Sequence, residues 1–242
     1  MNSDLNNVNR DLDVVEFFAG VGSIYNAALK CKLAAARFDK EPTQTQDGPN
    51  IHCEDITTKR GFEVALRLTM RLRKDALMTM APQCSSFIQM NAKNCKRKFD
   101  NAFLGDENYE PVRLGNIIFN VVCVLLLVAH ARRVHVVVEN PPGSYFWKLQ
   151  PLKAIMAILK MSSALVPRCS YDTRKRGLKI GKKSDLFARM SGSRTSLAAA
   201  SAKRADTCCC IHRRRFEAAL LSQAGSQRCP NRPHTRQPSA LR

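Results

Sequence analysis

Two residues stand where a reaction could be run. Cys84 lies in "APQCSSF" (Ala81 to Phe87), two places after Pro82 and directly before two serines and an aromatic residue. A thiol in a loop near a helix N-terminus can be acidified and act as a nucleophile. The bland alternative is an inert or buried loop cysteine. Glu139 closes "VHVVVEN", a run of four valines broken only by His135, and is followed at once by Asn140, Pro141 and Pro142. An acid ending such a run is either a functional rim residue or an expensive buried charge.

A second group could hold a ligand. In "EFFAGVGS" (Glu16 to Ser23), Gly20 and Gly22 allow a tight turn and close approach of the backbone to a bound molecule. The N–H groups opening the next helix are read as free to face that molecule. The spacing is GxG, without a full dinucleotide fingerprint or a Walker lysine. A plain strand–turn–helix explains it equally. Asp39 ends the next predicted strand, where a carboxylate can hold a ribose diol; a solvated turn acid is the alternative. Asp55 ends a third strand, or caps the helix after Thr57.

These residues need a frame, and the hydrophobic pattern supplies one. Strands are predicted at "DVVEFFAG", "AARFDKE", "NIHCEDIT", "DALMTMAP" and "VHVVVEN". Helices are predicted at "SIYNAALKCKLAA", "GFEVALRLTMRLRK", residues 114–132 and "PLKAIMAILKMSSAL". The stretch 91–112 reads as a polar loop. "LGNIIFNVV" (Leu114 to Val122) reads as a helix start, and "RCSYDTRKRGLKIG" as a strand or hairpin. Strands alternating with helices give an α/β fold with a doubly wound, mostly parallel sheet. Such a sheet binds ligands beyond the carboxyl ends of its strands. Gly20, Asp39, Asp55, Cys84 and Glu139 all fall on that one rim.

The chain has 242 residues, enough for one α/β domain with appendages. Residues 188–242 hold 11 of the 39 Lys/Arg and only 2 of the 20 Asp/Glu. They lack sustained periodicity and are read as a disordered basic low-complexity tail, leaving 13–187 as the catalytic-type domain. The net charge of +19 points to a polyanionic partner. Ten cysteines without a CxxC pair read as a reduced, intracellular chain. The polar, acidic N-terminus is no secretory signal. The run from Ile117 to Ala129 is too short to span a bilayer and reads as a buried helix. "CCCIH" (Cys208 to His212) lacks a second ligand pair, so no metal is expected.

Together the motifs resemble the cytosine-5 DNA methyltransferases, which carry the S-adenosylmethionine-dependent methyltransferase fold. That family opens with a D-L-F-A-G-x-G-G run, here "EFFAGVGS". It has a proline–cysteine loop, here "APQCSSF"; a Glu-Asn pair ending a later strand, here "ENP"; and a Q-x-R-x-R segment, here "DTRKR" (Asp172 to Arg176). Order and spacing agree over residues 13–187. The resemblance implies S-adenosylmethionine as cofactor, lined by Phe18, Ala19, Gly20 and Gly22. Asp39 would hold the ribose hydroxyls and Asp55 the adenine. Cys84 would attack carbon 6 of a flipped-out cytosine, Glu139 would bind the base edge, and Arg174 or Arg176 would support the base carbonyl. DNA or RNA is the implied partner, and a nuclear location follows.

The sequence departs from the family pattern at Ser23, Gln83, Ser85 and Pro141. No target-recognition segment or closing Gly-Asn motif is recognisable after "DTRKR". Those departures support a second reading, a non-catalytic nucleic-acid-binding domain. Asn140-Pro141-Pro142 supports a third, a methyltransferase acting on exocyclic amino groups.

Overall fold

Strand β1, Leu12–Phe17, is apolar except for two acids, and five of its six residues are buried. A strand covered on both faces belongs at the centre of a parallel sheet, and a computed structural model places it there. The structure describes residues 9–41, 50–167 and 185–190. β2 (Ala35–Asp39) and β3 (Ile51–Cys53) lie to one side of β1, and β4 (Leu72–Met80) and β5 (His135–Asn140) to the other. All these neighbours pair in parallel. β6 (Ser162–Pro167) and β7 (Asp185–Met190) complete a seven-stranded sheet in the order β3-β2-β1-β4-β5-β7-β6, with β7 antiparallel to both its neighbours. This is the α/β, doubly wound, mostly parallel architecture expected from the sequence. β7 runs across position 187.

Helices cover the sheet. α1 (Ser23–Lys30) ends before Ala35, the end its pattern predicted, because the chain turns at Cys31 and Lys32 (φ 56°) and Ala35 opens β2. α2 (Lys59–Arg71) starts at Thr58, whose hydroxyl accepts from Gly61 N at 3.0 Å. Thr58, not Asp55, is therefore its N-cap. Leu72, expected on the face of that helix, instead opens β4. Residues 91–112 are not simply a loop: they include α3 (Ala92–Cys95) and the first turn of α4 (Glu110–Ala131). α5 (Gln150–Ile158) ends before Ser162 and Ser163 join β6. The segment 168–181, predicted as a strand or hairpin, lies outside the described residues, as do Arg174 and Arg176.

Among the described residues, α4 alone is long and apolar enough to cross a membrane. It packs into the core instead, burying Val112, Phe119, Val122, Leu125 and Leu126 together with β-strand residues Met78, Met80 and Val136. Burial of these side chains contributes roughly 1.5–3 kcal/mol each. Strand order reverses between β1 and β4, since β2 follows β1 on one side and β4 lies on the other. The crevice beyond that point is where an open α/β sheet binds its ligand.

Candidate active site

The five rim residues fall where the topology predicts. Asp55 follows β3, Asp39 ends β2, Gly20 follows β1, Cys84 follows β4 and Glu139 lies one residue from the end of β5. In sheet order they form one row across the switch point.

The glycine turn is built from three residues in the left-handed region, Phe18 (φ 57°), Gly20 (φ 51°) and Gly22 (φ 67°). A side chain at Gly20 would meet nothing within 4 Å, so the space above the turn is open. At Gly22 a Cβ would lie 2.9 Å from the Arg37 guanidinium, so bulk is excluded there. Gly20 N–H donates to Asp39 Oδ2 at 2.6 Å, and Lys40 N–H to Asp39 Oδ1 at 2.7 Å. An ionised carboxylate has about four lone-pair positions, so each oxygen retains capacity for a ligand. Asp55 accepts from Thr57 N and Oγ1 at 2.9 and 2.6 Å and pairs with Lys40 Nζ at 2.9 Å. Burial pushes its carboxyl up, but these hydrogen bonds and the cation outweigh burial and hold it below the usual range. A small recess beside the turn is lined by Ala19, Gly20, Asp39, His52 and Cys53.

The N–H groups opening α1 are not free, contrary to the sequence expectation. Glu16, buried in β1, accepts from Ile24 N at 3.3 Å and Tyr25 N at 2.7 Å. It satisfies the helix start that Gly22 cannot cap with a side chain. Burial raises the Glu16 pKa, the two N–H groups and the Arg37 guanidinium oppose this, and the Asp39 carboxylate adds to the rise. With its helix-opening N–H groups occupied, the turn is no phosphate cradle. Arg37 also lines the recess, so the charges around it are mixed.

Cys84 is half-buried at the start of a tight turn, with Phe87 N–H donating to Cys84 O at 2.8 Å. Burial raises its thiol pKa, its own backbone N–H opposes this, and the Glu139 carboxylate raises it further. Cys84 and Glu139 lie at the carboxyl ends of the adjacent parallel strands β4 and β5. Four tethers hold the turn. Asn140 Nδ2 donates to Pro82 O at 3.0 Å, Tyr145 N to Phe87 O at 2.8 Å, and Asn91 Nδ2 to Ser85 O at 2.6 Å. The fourth is Arg97, which sequence reasoning left in a polar loop.

Arg97 is 2% exposed. Its guanidinium donates to Ser86 O at 2.8 Å, Phe103 O at 2.8 Å, Leu104 O at 2.9 Å and Asn116 Oδ1 at 3.0 Å, with Ser86 Oγ at 3.2 Å. It also lies 4.0 Å over the Phe87 ring. Burial lowers its pKa to about 10, so it stays charged at neutral pH. Gly115 lets α4 pass close beneath this cluster, since a Cβ there would sit 2.3 Å from Ser86 Oγ. The Gly115-Asn116 pair in "LGNIIFNVV" is thus explained by support of the Cys84 turn.

Asn140, the residue on which the amino-group reading rests, is 1% exposed. Its amide nitrogen is spent on Pro82 O, which makes it a brace between β5 and the Cys84 loop. Its Oδ1 has no hydrogen-bond partner among the described residues.

No protein-family model matches the chain, and no curated protein matches it. Among solved structures, it is similar to the Dnmt2 methyltransferase of S. pombe, at 14% identity and a TM-score of 0.46 over 74% of this chain and 49% of that one. It is also similar to a SAM dependent methyltransferase from Archaeoglobus fulgidus, at 10% identity and a TM-score of 0.38 over 74% of this chain and 85% of that one. The chain thus spans about half the length (49%) of the first of these structures.

Proposed function

We propose that this protein methylates carbon 5 of cytosine in DNA or RNA, with S-adenosylmethionine as the methyl donor and Cys84 as the nucleophile. The observation that carries this reading is the meeting of Cys84 and Glu139. They are 55 positions apart in the chain, yet they stand at the carboxyl ends of adjacent strands, and the Glu139 carboxylate raises the Cys84 pKa.

The residues present fit the donor. Phe18, Ala19, Gly20 and Gly22 form an open turn, Asp39 presents spare acceptors for a diol, and Asp55 is fixed beside it. When bound, the donor supplies an electrophilic methyl group.

A neutral pyrimidine is a poor electrophile, and the two cleft residues answer that together. The Cys84 thiolate adds to carbon 6 of the extruded base, forming a carbon–sulfur bond. Glu139 hydrogen-bonds the base edge and gives a proton to ring nitrogen 3, which takes up the displaced electron pair. Carbon 5 becomes an enamine carbon able to accept the methyl group. A water molecule then takes the carbon 5 proton, the electron pair of that bond reforms the ring double bond and expels Cys84 as thiolate, and nitrogen 3 returns its proton to Glu139. Arg174 or Arg176 supports the base carbonyl.

The test is transfer of labelled methyl from S-adenosylmethionine to cytosine-containing DNA or RNA, with nucleoside mass spectrometry of the product. The reading expects 5-methylcytosine, lost in Cys84→Ala and Glu139→Gln. A methylated exocyclic amine, formed undiminished in Cys84→Ala, refutes it.

A further inference from the structure

Beside the cleft lies a row of aromatic rings that the proposed reaction does not use. Phe99 is 88% exposed, an unusual state for a phenylalanine in a well-defined turn. Its ring meets Phe103 edge-on, with centroids 6.2 Å apart. Phe103 stacks on Tyr145 at 5.4 Å and an interplanar angle of 21°. Lys148 Nζ sits 5.2 Å from the Phe103 centroid and 5.0 Å from that of Tyr145. Lys98, exposed, precedes Phe99. The row begins in solvent and ends at Tyr145, whose N–H is bonded to Phe87 O, three residues past Cys84.

We propose that Phe99, braced by the Phe103–Tyr145 stack and flanked by Lys98 and Lys148, forms a stacking track for an unpaired nucleic-acid strand beside the Cys84 turn. This deepens the methyltransferase reading and rests on it for the identity of the base at Cys84. An exposed ring offers a π-face that any base can cover, and lysines beside it meet the phosphates. That combination suits a strand whose bases are unstacked; in a duplex those faces are already covered. Charge favours nucleic acid over an acidic protein partner. Lys98 and Lys148 flank the rings, Asp106 and Glu110 are paired with Lys96 and Arg113, and Asp100, next to Phe99, is the acid that a phosphate must avoid.

The experiment uses the full chain and a short fluorescein-labelled single strand containing one cytosine, read by anisotropy across a salt series, with sedimentation of the same samples. Phe99→Ala does not touch the core, so its fold is retained. The track expects it to bind at least about fivefold more weakly, the low end of the loss of one base–aromatic stack. Its log–log salt slope stays that of wild type because no phosphate contact is removed, and Phe99→Trp restores affinity. Lys98→Ala instead flattens the slope by about 0.7. Wild-type affinity in Phe99→Ala overturns the proposal, as does wild-type protein that binds no strand. So does a dimer-to-monomer change in Phe99→Ala with strand affinity intact, which assigns the ring to a contact between two copies. A parallel titration with S-adenosylmethionine separates the two claims. Phe99-dependent strand binding without donor binding removes the methyltransferase reading and leaves the track. Donor binding with Phe99-independent strand binding removes only the track.

Discussion

Arg97 is the residue whose removal should disturb the site most without touching its chemistry. It sits wholly inside the protein, and every donor position of its guanidinium faces a carbonyl or hydroxyl of the Cys84 turn, the 103–104 loop or α4. Replacement by methionine fills much of the volume but leaves Ser86 O, Phe103 O and the Asn116 side-chain carbonyl without their donor, while Leu104 O keeps the Asn116 amide. Each orphaned carbonyl costs about 1–3 kcal/mol. Against this, the variant no longer buries a charge. The fall of the Arg97 pKa from 12.5 to about 10 corresponds to a desolvation cost on the order of 3 kcal/mol. The difference spans about 0–6 kcal/mol and centres on a net destabilisation of about 3 kcal/mol, in line with removing one partner of a buried charged cluster. Arg97→Lys keeps the charge but offers three donors in place of five. It should fall about midway. Urea unfolding followed by circular dichroism measures both, and hydrogen exchange at Phe87 and neighbouring amides locates the loss. Unfolding free energies within about 0.5 kcal/mol of wild type for Arg97→Met, the range of an ordinary surface substitution, would refute the reasoning that this cation holds the turn.

Other expectations follow from the same geometry. Glu139→Gln removes the carboxylate that raises the Cys84 pKa, so alkylation of Cys84 by iodoacetamide near pH 8, followed by mass spectrometry, should speed up even as methyl transfer is lost. Slower alkylation would place Glu139 elsewhere. Gly22→Ala forces a side chain into the left-handed region and against Arg37 and should cost about 1–2 kcal/mol from backbone strain alone. Gly115→Ala should cost about 1–3 kcal/mol by overpacking against Ser86, with part of the loss recovered in a Ser86→Ala background. Asp55 has a folded pKa below its ordinary value of 3.8. The stability it contributes is therefore full above that value and lost as pH falls through the lower folded one. Asp55→Asn should flatten this acid limb of the stability–pH profile, and should weaken S-adenosylmethionine binding in a calorimetric titration at neutral pH.

The parts of this molecule legible in the sequence are those written in hydrophobic periodicity. "DVVEFF" and "VHVVVEN" could hardly be anything but strands, and their ends fix where Glu139 and the glycine turn must lie. Boundaries failed where residues suit either state. The predicted helix and strand overlapped at Ala35, which extends the apolar pattern of α1 but pairs in β2, because sheet pairing outweighs alanine's helix propensity. Arg97 was missed for a different reason. Fully buried arginines are rare, and its partners are mostly backbone carbonyls, which leave no mark in the sequence. Glu16 was likewise hidden. Its acceptors' role depends on a turn that carries the chain back so that residues 24 and 25 meet it, and only the turn's geometry reveals that. The signal that could have found it is an acid inside an otherwise apolar strand, eight residues before a helix with a glycine N-cap.

The central claim is that the Cys84 sulfur bonds to carbon 6 of a cytosine while Glu139 holds the base. An oligonucleotide with 5-fluorocytosine at the target position tests this most directly, because fluorine cannot leave as a proton does and the intermediate is trapped. In the presence of S-adenosylmethionine, the account predicts a denaturant-resistant protein–oligonucleotide adduct that mass spectrometry maps to Cys84 and that is absent in Cys84→Ala. Methylation of ordinary cytosine by Cys84→Ala at the wild-type rate, or an adduct mapped to another cysteine, would contradict it.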